Sequence, residues 1–123
     1  MRQKHQEERS KFTALENHFL NTYYSGLYLS QSDLIGIGKK IGISMAMNSR
    51  EMLIKQLLND SDKKGKITQT IALLGTLVDE RIQEYQRLSI DYPNSRPLMT
   101  KLAQKASGTK NLLARESRGN PYE

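Results

Sequence analysis

The sequence contains no cysteine and no tryptophan, only three prolines, and two phenylalanines beside six tyrosines. Each shortage removes something. Without Cys there is no disulfide framework, no thiolate nucleophile and no thiolate zinc site. With prolines only at 93, 97 and 121, no periodic stretch is interrupted by a missing amide. Aromatics make up 7 % of the chain, so a core has to be built from aliphatic side chains. No apolar run approaches the roughly 18 residues that a membrane span needs, and no membrane partner is expected. Residues 1–11 are charged and lack the apolar stretch of a secretory signal, which leaves cytoplasmic residence as the expectation.

The groups that carry catalysis are equally sparse. His5 and His18 are the only histidines, and no HExxH or comparable ligand spacing surrounds them. No serine sits in a nucleophile elbow. Gly36-Ile37-Gly38-Lys39-Lys40-Ile41-Gly42 is glycine-rich but matches neither phosphate-loop pattern, and no strand precedes it. Asp79, Glu80 and Glu84 form an acidic face with Arg81 and Arg87 interspersed, which reads as a solvated helix surface. No catalytic residue, metal ligand or cofactor is expected, and the chain reads as a non-enzyme.

What the sequence has is positive charge. Nineteen Lys/Arg face thirteen Asp/Glu among 123 residues, a formal charge of +6. The excess is uneven: +1 over residues 1–32, +3 over 33–66, −2 over 67–95 and +4 over 96–123. Such asymmetry points to a surface that faces a polyanion, or to a solvated exterior that maintains solubility.

The periodicity is helical nearly throughout. Phe12, Leu15, Phe19, Tyr23 and Leu27 recur at three- and four-residue steps and predict a helix over about 8–28. Ser30 or Ser32 offers N-cap chemistry for a short helix over about 32–41, with Leu34, Ile37 and Ile41 inward and Gly42 as the permissive residue after its end. Residues 43–48 read as an extended connector with apolar anchors. Asn48 or Ser49 caps a third helix bearing Leu53, Ile54, Leu57 and Leu58, with Glu51 at a capping-box spacing from Asn48. Residues 59–66 form a polar break. A fourth helix over about 67–90 carries Ile67, Ile71, Leu74, Val78, Ile82 and Tyr85 on one stripe. After a proline turn, a fifth over about 97–115 carries Leu98, Leu102, Ala106, Leu112 and Leu113. The expected fold is all-α: a small bundle of about five helices, with a short helix-extension-helix unit followed by a long antiparallel αα-hairpin. The divisions are an N-terminal helix (1–29), the helix-extension-helix unit (30–60), the hairpin (66–115) and a fraying tail (116–123), together one domain.

One segment has a recognisable frame: Leu34-x-x-Ile37-x-x-x-Ile41-Gly42-Ile43, a linker, then Arg50-x-x-Leu53-Ile54-x-x-Leu57-Leu58. Residues 33–58 resemble the helix-extension-helix of SAP motifs and of the Rho-type N-terminal domain. The resemblance implies nucleic-acid contact through basic residues and amides at the start of the second helix, where Arg50 holds the place of the family's Lys or Arg. The linker departs from it, with Met45, Ala46 and Met47 where many members have glycine and a basic residue.

Two functions fit these features. The first is a nucleic-acid-binding accessory protein, for DNA or RNA, that grips phosphates with little sequence preference. It would use Lys39, Lys40, Arg50, Lys55, Lys63, Lys64 and Lys66, with Lys101, Lys105 and Lys110 as a second stripe. The second is a helical protein–protein adaptor, a subunit of a larger assembly or a homo-oligomer, served by surplus apolar positions (Leu73, Leu77, Leu88, Leu113) and by Met45, Met47 and Met52.

Overall fold

A computed structural model of the chain describes residues 12–119, without the side chains of residues 23, 24 and 116–119. Among these residues every regular element is helical, as the periodicity requires: α1 (Thr13–Leu20), α2 (Thr22–Ser25), α3 (Gln31–Lys40), α4 (Arg50–Lys63), α5 (Ile67–Asp91), a 3-10 turn (Pro93–Ser95) and α6 (Arg96–Gly119). The fold is a small all-α bundle.

The caps explain where helices begin. Ser30 accepts from the Asp33 amide at 3.0 Å, and the Asp33 carboxylate accepts from the Ser30 amide at 3.0 Å, a reciprocal capping box at the start of α3. Ser49 accepts from the Met52 amide at 3.2 Å and starts α4. Asn48 instead accepts from the Ser49 amide at 2.8 Å, so Glu51 takes no part in a box. The ends are set by glycine. Gly42 (φ +82°) and Gly65 (φ +72°) each adopt the left-handed conformation after a helix. Ile43 N–H donates to Gly38 and Gly42 N–H to Lys39; likewise Lys66 N–H donates to Ser61 and Gly65 N–H to Asp62. Both are Schellman motifs.

Three boundaries differ from expectation. The helix foreseen over 8–28 is interrupted, because Asn21 is extended (φ −112°, ψ 102°) and splits it into α1 and α2. Asn and Thr at 21–22 hold a helix weakly, and the kink brings Leu27 and Leu29, both fully buried, into the core. The start of that predicted helix lies outside the described residues. The polar run after Leu58 does not end α4 until Lys63, since Ser61 turns inward and bonds the Leu58 carbonyl at 3.1 Å. α6 runs to Gly119, into the segment expected to fray from 116.

The core forms where α1, α3 and α4 meet the first half of α5. Phe19, Leu34, Leu53, Leu57, Leu74 and Val78 are at most 2 % exposed. Ile43 and Met45 of the connector are buried with them, plugging between α3 and α4 as anchors. α5 and α6 form the antiparallel hairpin and touch each other more extensively than any other pair. Their fully buried residues all lie in the half nearest the body: Thr70 to Val78 on α5, and Ala106, Thr109 and Leu113 on α6. Leu98, placed on the inward stripe by its spacing, is 56 % exposed, because at its level α6 has only α5 and the α2 region to lean on.

A polar clasp fastens the N-terminal helices to the hairpin. Gly26 (φ +80°) presses against α6 so closely that a Cβ there would stand 2.6 Å from the Ala106 nitrogen and 2.7 Å from the Leu102 carbonyl. The Tyr85 hydroxyl donates to the Gly26 carbonyl at 2.6 Å, and Thr109 donates to the Ser25 carbonyl at 2.8 Å. His18 Nε2 lies 2.8 Å from Thr109 Oγ1. That hydroxyl spends its one proton on carbonyls, so the network assigns the proton of this bond to Nε2, and His18 donates.

Candidate nucleic-acid interface

α3 and α4 lie side by side and point the same way. At their starts, Gln31 donates to the Asn48 carbonyl at 2.6 Å, and Arg50 donates to the Leu29 carbonyl at 2.6 Å. At their ends, the Lys66 ammonium donates to the Ile41 carbonyl at 3.1 Å. The extended connector (residues 41–49) runs back between them. Both carboxyl ends, with their partial negative charge, therefore meet at one edge of the molecule.

Four candidate cations converge there. Lys39 and Lys40 form the last turn of α3, Lys63 closes α4, and Lys64 follows it. All four are exposed. No ion pair to any of them forms among the described residues. Two helix ends contribute about one half-charge each of negative sign, and Asp60 and Asp62 in the last turn of α4 add two more, so with Lys66 counted the edge keeps a net charge of about +2. Nothing lies within 4 Å of a Cβ built on Gly65, and the Lys66 ammonium alone lies that near one on Gly42, so both turns are open to solvent.

The remaining candidates are placed differently. Arg50 lies at the other end of the α3–α4 pair and is structural. Its Nε bonds the Leu29 carbonyl, a terminal nitrogen reaches the Phe19 carbonyl at 3.4 Å, and the guanidinium covers the Tyr28 ring at 4.1 Å from its centroid. It is therefore withdrawn from the phosphate set. The Phe19 carbonyl in the last turn of α1 and the Leu29 carbonyl in the loop before α3 claim it. Lys66 is likewise a capping residue for α3, and Lys110 is paired with Asp79 at 2.7 Å across the hairpin. Lys55 is exposed on the outer face of α4. Lys101 is exposed and Lys105 half-buried on α6, which touches neither α3 nor α4. The expected second stripe is thus not continuous with the first.

Several contacts escaped sequence reading. Arg81, on a helix face whose composition predicts a solvated surface, binds Asp33 at 2.9 Å and ties α5 to the start of α3. Tyr85 and Gly26 form the clasp. Burial holds the Tyr85 phenol above its ordinary value, with Arg81 opposing and Glu84 adding to the shift. Burial also lowers the His18 imidazole below its ordinary value. The one local signal was Gly26 itself, a glycine at the end of an amphipathic run with no proline or polar cluster to explain it.

No group of three or more His, Asp or Glu able to hold a metal ion occurs among the described residues. None of their helices is long and apolar enough to cross a membrane. The chain matches no protein-family model, no curated protein and no solved structure.

Proposed function

We propose that the protein is a non-enzymatic, cytoplasmic nucleic-acid-binding accessory protein. It grips the phosphate backbone of DNA or RNA through Lys39, Lys40, Lys63 and Lys64, with little sequence preference. The observation that carries this reading is the convergence of these four exposed lysines, without carboxylate partners, at the joined carboxyl ends of α3 and α4. The physics is counterion release, which acts on any phosphodiester chain and reads no base. The SAP-like frame of residues 33–58 implies contact with the same class of polymer, but at the opposite end of the unit. The contact falls at the helix ends rather than at the start of the second helix, where Arg50 is already engaged.

The test is fluorescence anisotropy with labelled duplex DNA, single-stranded DNA and RNA of unrelated sequences at low salt. The wild type binds all of them within a narrow range of affinities, and Lys39→Glu/Lys63→Glu/Lys64→Glu abolishes binding while Arg50→Lys does not. Absence of wild-type binding, or a triple variant that binds as well as wild type, overturns the proposal.

The second reading, a protein adaptor, has its own observation. The far half of the hairpin exposes Ile90, Tyr92 and Leu98 at 73 %, 61 % and 56 %. Its α5–α6 groove, which includes Ile82, Tyr85, Met99 and Ala103, is lined entirely by uncharged side chains. Exposed apolar surface of this kind serves partner helices.

A further inference from the structure

On the other side of α5, a second groove runs between that helix and α3. From α3 it takes Asp33, Gly36, Ile37 and Lys40, with Ser32 beside them at the edge; from α5 it takes Leu73, Thr76, Leu77 and Glu80. Both sets follow the i, i+3, i+4, i+7 spacing of a single helix face. The helices are antiparallel here, because the Arg81–Asp33 ion pair sets the Glu80 end of α5 against the start of α3, while Lys40 lies at the Leu73 end. Ile37, Leu73 and Leu77 form an apolar floor. Lys40 and Glu80 mark its opposite ends, on opposite walls and about 10 Å apart along the groove by helix rise. Both are exposed, and neither has an ion-pair partner among the described residues. Over Gly36, in the middle of the α3 side, there is open space: nothing lies within 4 Å of a built Cβ.

We propose that this groove is the interface of a two-fold homodimer. An apolar floor with a positive end on one wall and a negative end on the other is its own complement under a two-fold axis that lies in the interface, through its middle and across the line from Lys40 to Glu80. That operation lays floor on floor. It sets Lys40 of each copy against Glu80 of the other, and brings a side chain of the second copy over Gly36. A head-to-tail arrangement gives up this double pairing, and a polyanion is disfavoured along the groove by Glu80, whose charge no ion pair among the described residues offsets. The charge pattern therefore selects a second copy of this chain over any other occupant. The inference does not rest on nucleic-acid binding. In the dimer Lys40 turns to Glu80, which leaves Lys39, Lys63 and Lys64 for phosphate.

Sedimentation equilibrium of the full chain, without nucleic acid and over a wide concentration series, tests the proposal. The wild type shows a reversible monomer–dimer equilibrium. Lys40→Glu and Glu80→Lys each weaken it by roughly tenfold or more, and the double exchange Lys40→Glu/Glu80→Lys restores it. Gly36→Leu fills the open middle and also gives monomer, with the helical circular dichroism unchanged. A wild type that stays monomeric at every concentration overturns the proposal. So does a dimer that ignores both single reversals, which would place self-association at the hairpin tip instead, or a double exchange that fails to rescue.

Discussion

Replacing Gly26 by alanine attacks the joint between the N-terminal helices and the hairpin, and its cost can be built from two parts. The first is conformational: at φ +80° a Cβ crowds its own carbonyl, which costs about 1–2 kcal/mol. The second is the neighbour. A Cβ would sit 2.6 Å from the Ala106 nitrogen and 2.7 Å from the Leu102 carbonyl, both backbone atoms of α6 that no rotamer change can move. Helix and loop must separate, and the separation strains the Tyr85–Gly26 and Thr109–Ser25 hydrogen bonds, worth about 1 kcal/mol each. The sum is about 3–4 kcal/mol. Two glycines supply the controls. Gly65 has nearly the same φ (+72°) but open space around it, so Gly65→Ala should cost only the conformational part, about 1–2 kcal/mol. Gly75 lies inside α5 with nothing within 4 Å of a built Cβ, so Gly75→Ala should stabilise by about 0.5–1 kcal/mol. Urea unfolding of the three variants at one pH, followed by circular dichroism, reads all three values. If Gly26→Ala loses no more than Gly65→Ala, the close approach of the loop to α6 is wrong, whatever either variant costs alone.

Other consequences can be measured with the same tools. Burial disfavours the His18 imidazolium, so the folded state binds a proton less readily than the unfolded chain, whose histidine titrates near 6.5. Stability should therefore be intact above pH 6.5 and fall as the pH drops below it, and His18→Gln should flatten that decline; an equally steep curve in the variant would remove His18 as its source. Asp33→Asn weakens both the capping box and the Arg81 pair, and should cost about 1–2 kcal/mol in urea unfolding; Arg81→Ala in the same background should then add little. Arg50→Lys keeps the charge but loses the fork that bonds Leu29 and Phe19 and the stack on Tyr28, so thermal stability should drop by about 1–3 kcal/mol.

Local information in the sequence was enough to place most helices. The 3.6-residue spacing of Leu34, Ile37 and Ile41, or of Ile71, Leu74 and Val78, needs only neighbours along the chain. The Ser30 and Ser49 caps and the glycine stop at 42 are equally local. The kink at Asn21 was hidden because the apolar spacing from Phe12 to Leu27 continues through it, and the gain from burying Leu27 and Leu29 depends on residues far away. The same distance hid the candidate site's limits. Nothing near Arg50 in sequence shows that the Leu29 carbonyl needs a donor, and nothing near Lys66 shows that α3 ends beside it. A basic residue reads the same on paper whether it caps a helix across a loop or faces solvent. Only the parallel packing of α3 and α4 sorts Lys39, Lys40, Lys63 and Lys64 from the cations spent inside the molecule.

The slope of log binding constant against log salt concentration, taken on one short DNA duplex, tests the central claim most directly because it counts phosphates neutralised. Three or four lysines acting together predict a slope of about −2.7 to −3.6, which falls toward zero in Lys39→Glu/Lys63→Glu/Lys64→Glu and stays unchanged in Arg50→Lys. A wild-type slope near zero, or one that the triple variant leaves intact, contradicts the assignment of this edge to a polyanion.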